Sequence, residues 1–222
     1  MKRIIGLILA RGGSKGIPNK NSNNFCGIPL IAWSILQAKN TKGISDIWVS
    51  SDSKKILKIA EKCGAKTICR PKKLATSNAN GDDSYIHAIN FIEKHAYIPD
   101  IIIGLQATSP IRESKDLEEG LKKFNSGKYD SLFSSCSGED TFFWKESKKI
   151  LKSVNYNYKK RPNRQDLVDN YVIENGSFYI FTPKLIKKLK NRLGGKIGTY
   201  VMESWKLFEL DELSDIKLCE LI

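Results

Sequence analysis

The sequence predicts a three-layer α/β fold built on a mainly parallel sheet. Three observations carry this reading. Short apolar runs alternate with amphipathic stretches of helical period, the links between them are short, and 41% hydrophobic with 27% charged content is that of a folded globular chain. A length of 222 residues fits one domain, expected to span 1–222.

Residues 4–10 form a continuous apolar run, as a strand buried on both faces requires. The run is far shorter than the roughly 20 residues of a bilayer span. No small-residue cleavage site follows it, so it is read as a strand in a cytoplasmic protein that does not bind membranes. Residues 30–39 place Ile31, Ile35 and Ala38 at helical spacing. A strand over 46–51 precedes a helix over 53–63, with Ile56, Ile59 and Ala60 on one face and Gly64 as its stop. Residues 66–70 form a third strand, ended by Pro71.

A helix over 83–95 turns Ile86, Ile89 and Ile92 inward, and 100–106 is a strongly apolar strand. Residues 114–124 form a helix with Ser114 as its N-cap, and 129–135 a fifth strand. The rhythm breaks over about 138–170, a polar and aromatic stretch too long for an ordinary loop. It is expected to be a protruding lid or dimer-forming excursion. Strands over 177–181, 197–202 and 206–210 follow, with helices over 183–193 and from Ser214. Repeated strand–helix–strand units imply right-handed crossovers.

Composition excludes several chemistries. Five scattered cysteines without a C-x-x-C pair suit a reducing compartment, most of them as small buried hydrophobes. Two histidines, His87 and His95, cannot build an H-E-x-x-H or Cys/His zinc site. The excess of 37 Lys+Arg over 24 Asp+Glu gives a formal charge of +13, which attracts polyanions. The chain lacks a helix-turn-helix, RRM or zinc module, so a nucleic-acid partner is not expected. Much of the excess sits in 183–196, read as a solvated lysine-rich face.

The most informative residues are Ala10-Arg11-Gly12-Gly13-Ser14-Lys15-Gly16-Ile17-Pro18-Asn19-Lys20-Asn21. They follow the first strand at the sheet edge where open parallel sheets bind ligands. Glycines let backbone N–H groups approach a ligand, and Arg11, Lys15 and Lys20 can neutralise phosphates. A P-loop would need Lys-Ser/Thr where Ile17-Pro18 stand. Gly12-Gly13-Ser14-Lys15-Gly16 satisfies G-x-S-x-G. However, a nucleophile elbow must enter a helix at once, and no histidine follows His95 to complete a triad. A loop wrapped around a nucleoside triphosphate fits best.

The run resembles the signature of the acylneuraminate cytidylyltransferases, or CMP-sialic acid synthetases: Ala-Arg-Gly-Gly-Ser-Lys-Gly, two or three residues, then Lys-Asn. Arg70-Pro71 with Leu74-Ala75 resembles the family's second motif, although Thr76-Ser77-Asn78 departs from it. Leu105-Gln106-Ala107-Thr108-Ser109-Pro110-Ile111-Arg112 resembles a third. Arg161 to Asp166, with Tyr171 and Asn175 to Tyr179, resembles the block that closes on the sugar acid. The stretch from Asn155 to Gln165 is closer to legionaminate-type members. Glu209-Leu210-Asp211 stands where the family has Asp-x-Asp.

The resemblance implies a Rossmann-like nucleotidyltransferase fold, a homodimer, and transfer of CMP from CTP to a nine-carbon keto sugar acid with Mg²⁺. It implies nucleotide contacts from Ala10, Arg11, Gly12, Gly13, Ser14, Lys15, Lys20, Asn21 and Arg70. It implies sugar-acid contacts from Gln106, Arg164 and Tyr179, and metal ligation by Asp211 with Glu209. Arg11, Lys20 and Asp211 are the residues expected to carry catalysis. Other bases or acceptors, such as UTP, GTP or an eight-carbon keto acid, would share the phosphate loop.

Overall fold

A computed structural model describes residues 2–14, 16–139, 141–163 and 171–222. Strand β1 (Ile4–Leu9) is central. β2 (Asn24–Phe25) and β3 (Ile28–Pro29) make a small ribbon before helix α1 (Leu30–Lys39). Then come β4 (Asp46–Ser51), α2 (Lys54–Lys62), β5 (Lys66–Cys69), α3 (Gly81–His95), β6 (Ile101–Leu105), α4 (Ser114–Asn125) and β7 (Ser131–Ser137). The hairpin β8 (Trp144–Ser147) and β9 (Ile150–Ser153) stands apart. β10 (Val172–Phe181), α5 (Pro183–Leu189), β11 (Ile197–Met202) and α6 (Leu213–Leu221) complete the chain.

Seven strands form one sheet in the order β11-β7-β10-β6-β1-β4-β5. β1 pairs in parallel with β4 and β6, β4 with β5, and β11 with β7. β10 is inserted antiparallel between β6 and β7. The expected mainly parallel sheet is therefore present with one reversed strand.

Alternation along the strands builds the layers, because successive side chains leave opposite faces. Ile4 and Ile8 of β1 join Ile101, Ile103 and Leu105 of β6 under α1, α2 and α4, which supply Ile31, Ile35, Ile56, Leu117 and Leu121. Ile5, Leu7 and Ile102 face the other way, under Tyr85, Ala88, Ile89 and Ile92 of α3 and Ile186 of α5. Each such buried aliphatic side chain contributes roughly 1.5–3 kcal/mol.

The helix limits follow local chemistry. The Ser53 hydroxyl accepts from the Ile56 N–H at 3.5 Å, and Gly64 ends the next turn at φ 86°. The Thr182 hydroxyl caps α5, with Pro183 as its first residue. Ser114 is not the N-cap of α4. Glu113 is, in a reciprocal capping box with Asp116, while Ser114 donates to the Gln37 carbonyl at 2.9 Å.

Two further expectations change. Residues 206–210 are not a strand: a 3₁₀ turn, Ser204–Leu207, leads into extended chain. Lys206 turns inward there, its side chain 1% exposed, onto Glu113 (2.7 Å), Asp116 (2.9 Å) and Glu203 (2.8 Å). Those three carboxylates raise its pKa against the opposing effect of burial. Only Cys136 and Cys219 of the five free cysteines are buried. The excursion contains the β8–β9 hairpin and the aromatic group Phe142, Trp144, Tyr156 and Tyr158.

Candidate active site

β1, β5 and β6 all deliver their C-terminal ends to one edge of the sheet. A cavity of about 610 Å³ opens there, lined by Arg11, Lys20, Arg70, Gln106, Glu209 and Asp211 among others.

One wall is the loop after β1. Its course is fixed by bonds that the sequence does not advertise. Ala10 N–H bonds the Ser50 carbonyl at 3.1 Å, and Gly12 N–H bonds Asp52 Oδ1 at 2.9 Å. Asn21, buried in a 3₁₀ turn (Lys20–Ser22), donates from Nδ2 to the Arg11 carbonyl at 3.0 Å. Arg11 Nη1 reaches the Thr76 carbonyl at 3.3 Å, tying this loop to the one after β5.

Arg70 is buried at the end of β5, and its Nε has no hydrogen-bond partner among the described residues. Burial pulls its pKa down, Asp52 and Tyr85 oppose that, and the charge of Arg11 adds to it. A buried guanidinium with an unused donor and a cationic neighbour is suited to an anion.

The opposite wall is the chain after β6 and the segment before α6. Thr108 Oγ1 donates to Glu209 Oε2 at 3.2 Å, and Leu210 N–H bonds the Thr108 carbonyl at 2.8 Å. Glu209 Oε1 occupies the space that a Cβ on Gly176 would fill, and Gly176 has φ 64°. Any side chain at 176 would displace that carboxylate. Burial, opposed by the Thr108 hydrogen bond and reinforced by Asp211, pushes the Glu209 carboxyl up to about 7.

Asp211 projects outward and takes Lys20 Nζ at 2.9 Å, while the Leu210 carbonyl accepts from the same ammonium at 2.5 Å. The two carboxylates thus meet at the cavity from an irregular segment rather than from one strand face. Among the described residues, no group of three or more His, Cys, Asp or Glu could hold a metal by itself.

Of the expected nucleotide residues, Arg11, Ser14, Lys20, Asn21 and Arg70 line the cavity. Ala10, Gly12 and Gly13 are not among its lining residues. Gln106 also lines it. Tyr179 does not: its ring is buried beneath Arg192, and its hydroxyl donates to Glu174 Oε1 at 2.5 Å. Lys15 and Arg164 lie outside the described residues.

Arg112, at the end of its motif, is no surface residue. It is buried, donating to Ser177 O at 2.8 Å, Gln106 O at 3.1 Å and the Ser34 hydroxyl. It staples β6 to β10 and α1. Tyr85, Ser84 and Arg192 line the cavity without having carried any motif signal.

Fold and cavity together define a protein of nucleotidyltransferase architecture. The solved CMP:2-keto-3-deoxy-manno-octonic acid synthetase complexed with CTP superposes with a TM-score of 0.70 at 17% identity, covering 99% of this chain and 98% of that one. A 4-diphosphocytidyl-2C-methyl-D-erythritol synthase also gives 0.70, at 8% identity, covering 100% and 99%. A family model described as Cytidylyltransferase matches residues 5–219, and the chain belongs to that family.

N-acylneuraminate cytidylyltransferase A of Danio rerio is 36% identical over 95% of this chain. The chain spans about half of that relative's length, 48%. The post-translational flagellin modification protein B of Campylobacter coli is 30% identical over 100% of this chain and 95% of its own. A CMP-N,N'-diacetyllegionaminic acid synthase of Campylobacter jejuni is 28% identical over 100% of this chain and 95% of that protein.

Proposed function

We propose that this protein transfers CMP from CTP to a sialic-type nonulosonic acid, releasing diphosphate. One observation carries the reading. In a chain of the cytidylyltransferase family, the cations Arg11, Lys20 and Arg70 line one cavity together with the carboxylates Glu209 and Asp211 at the carboxyl edge of the sheet.

In the reaction, the 2-hydroxyl oxygen of the sugar acid attacks the α-phosphorus. The new P–O bond forms as the bond to diphosphate breaks, and the hydroxyl proton is lost. Phosphoryl chemistry of this kind needs positioning and charge stabilisation rather than a covalent nucleophile. Arg11 and Lys20, with Lys15, hold the β- and γ-phosphates and stabilise the charge of the leaving diphosphate. Arg70 supplies a dry guanidinium to the nucleotide. Gln106 and Arg164 orient the sugar acid, a guanidinium being suited to bidentate pairing with its carboxylate.

The donor set fits Mg²⁺, which commonly takes one or two carboxylates and completes its shell with phosphate oxygens and water. Glu209, held by Thr108, and Asp211, exposed beside Lys20, would be the protein ligands. Bound Mg²⁺ supplies positive charge to the phosphate oxygens. The β8–β9 hairpin, with Ile150, Leu151 and Val154 exposed, is the surface we assign to a homodimer.

The test is a product assay by mass spectrometry. Purified protein is incubated with CTP, UTP, GTP or ATP and a panel of nonulosonic acids, with Mg²⁺ or after chelation. A CMP-linked acid formed only from CTP, and lost on chelation, is expected. Equal use of the other nucleotides, or no conjugate from any acid, overturns the reading.

A further inference from the structure

The cavity contains a guanidinium that no sequence motif announces. Arg192 follows α5 and lines the cavity. Its Nη1 donates to Asp82 Oδ1 at 3.0 Å, a carboxylate in the first turn of α3. Its guanidinium carbon lies 4.4 Å from the ring centre of Tyr179 and 5.7 Å from that of Tyr85. The side chain is therefore held at its edge by an ion pair and beneath by an aromatic face. A guanidinium has several N–H donors and a cation–π contact uses none of them. Among the described residues only Asp82 takes a hydrogen bond from Arg192, so donors remain for a ligand.

The location says which part of a ligand. Tyr179 pairs with Gly104 across β10 and β6, while Gln106 N–H bonds the Ser177 carbonyl. Tyr179 therefore lies two strand residues, about 7 Å, behind the Gln106 corner. Thr108 and Glu209 adjoin that corner. The reacting carbon of an acceptor belongs beside the carboxylates, so Arg192 meets the part of the acceptor remote from it.

Local charge says which chemistry. Asp82 bonds Arg192, and Glu174 accepts from the Tyr179 hydroxyl beneath it. One guanidinium among two carboxylates does not favour a further anion, such as the sugar carboxylate or a phosphate. It does suit a neutral, strong hydrogen-bond acceptor.

We propose that Arg192 binds the carbonyl oxygen of an N-acyl substituent on the sugar acid and so selects acylated acceptors. Asp82 and Tyr179 act as positioning residues for it. The inference rests on the cytidylyltransferase reading above and assigns the end of the cavity that sets acceptor preference.

The experiment compares the parent with Arg192→Leu and Arg192→Gln. Acceptors are N-acetylneuraminic acid and N,N'-diacetyllegionaminic acid, each against an analogue with hydroxyl in place of acetamido. The leucine variant should lose about 10- to 100-fold in kcat/KM for acylated acids, the range for a hydrogen bond to a charged group. Its loss with the hydroxyl analogues should be smaller, and the KM for CTP should stay at the parent's value. The glutamine variant, which retains N–H donors, should lose less.

Equal losses for both acceptor types, or a raised KM for CTP, overturn the assignment. If the parent transfers CMP to no acid, the functional reading fails, and binding decides the inference separately. Saturation-transfer NMR on the acetyl methyl should show a contact in the parent that disappears in Arg192→Leu. Persistence of that contact counts against it, as does its absence in the parent.

Discussion

Lys20 Nζ stands 2.9 Å from Asp211 Oδ1, and the Asp211 side chain is 71% exposed. The pair joins the loop after the first strand to a segment near the end of the chain and closes the rim of the cavity between them. Exposed ion pairs contribute about 0–1 kcal/mol, so this one is cheap to open. Lys20→Ala and Asp211→Ala should each leave the unfolding midpoint close to the parent's. Each should lower CMP transfer by about 10²- to 10³-fold, the usual effect of losing one stabilising contact to developing charge. Steady-state kinetics with thermal denaturation checks both, and parental turnover in both variants sinks the assignment.

Gly16 lies against the carbonyl oxygen of Asp211, where an added methyl group would overlap it. The obstacle is backbone and cannot rotate away. Gly16→Ala should cost about 1–3 kcal/mol, as overpacking does, and should weaken CTP binding by prising the loop from the carboxylate segment. Denaturant titration and calorimetry with CTP measure the two effects. Parental values in both would mean that the loop and the rim slide apart freely.

Lys206 is buried among Glu113, Asp116 and Glu203, and Asp116 is itself only 3% exposed. Removing the ammonium strands a buried carboxylate. Lys206→Met should destabilise the fold by about 3–5 kcal/mol, and adding Asp116→Asn should recover part of that. Because Lys206 precedes Glu209 by three residues, the single variant should also lose transfer activity below its unfolding temperature. Urea unfolding of the two variants provides the comparison.

His87 on α3 has a buried Nδ1 without a partner among the described residues. Burial first, then Arg70 and Lys73, lowers its pKa below the ordinary 6.5. A depressed pKa means that the unfolded chain takes up a proton which the folded chain refuses. Stability from this group is complete above 6.5 and is lost as the pH falls towards the folded value. The slope can reach about 1.4 kcal/mol per pH unit for one group. Unfolding free energy should fall between pH 7 and 5, and His87→Gln should flatten part of that fall. An unchanged slope would assign it to other groups.

The elements of the fold were legible to different degrees. β1, β6 and α1 were readable because wholly apolar runs and a 3.6-residue period are strong local signals. Strand direction is not encoded in an apolar run, so the reversal of β10 was invisible. Phe208 and Leu210 imitate strand alternation, yet the burial of Lys206 bends the backbone into a 3₁₀ turn, an outcome set by Glu113 and Asp116 from 90 or more residues away.

The cationic loop could be read because glycine and charge concentrate in twelve positions. Its anchors, Asp52 and the Thr76 carbonyl, are long-range and could not. Arg192 was hidden for a simpler reason: it sits in a lysine-rich run that resembles any solvated surface, and only Asp82 and Tyr179 distinguish it.

The reversal of β10 has a consequence for how such a chain can change. β7 leaves the sheet at the cavity edge, and β10, running the other way, begins at that same edge. The described part of the link between them, the β8–β9 hairpin included, joins the sheet at that edge. Length and composition there can vary without disturbing a single rung of the sheet, while redrawing what may enter. The scaffold thus keeps its phosphate chemistry fixed and leaves its doorway open to evolutionary revision.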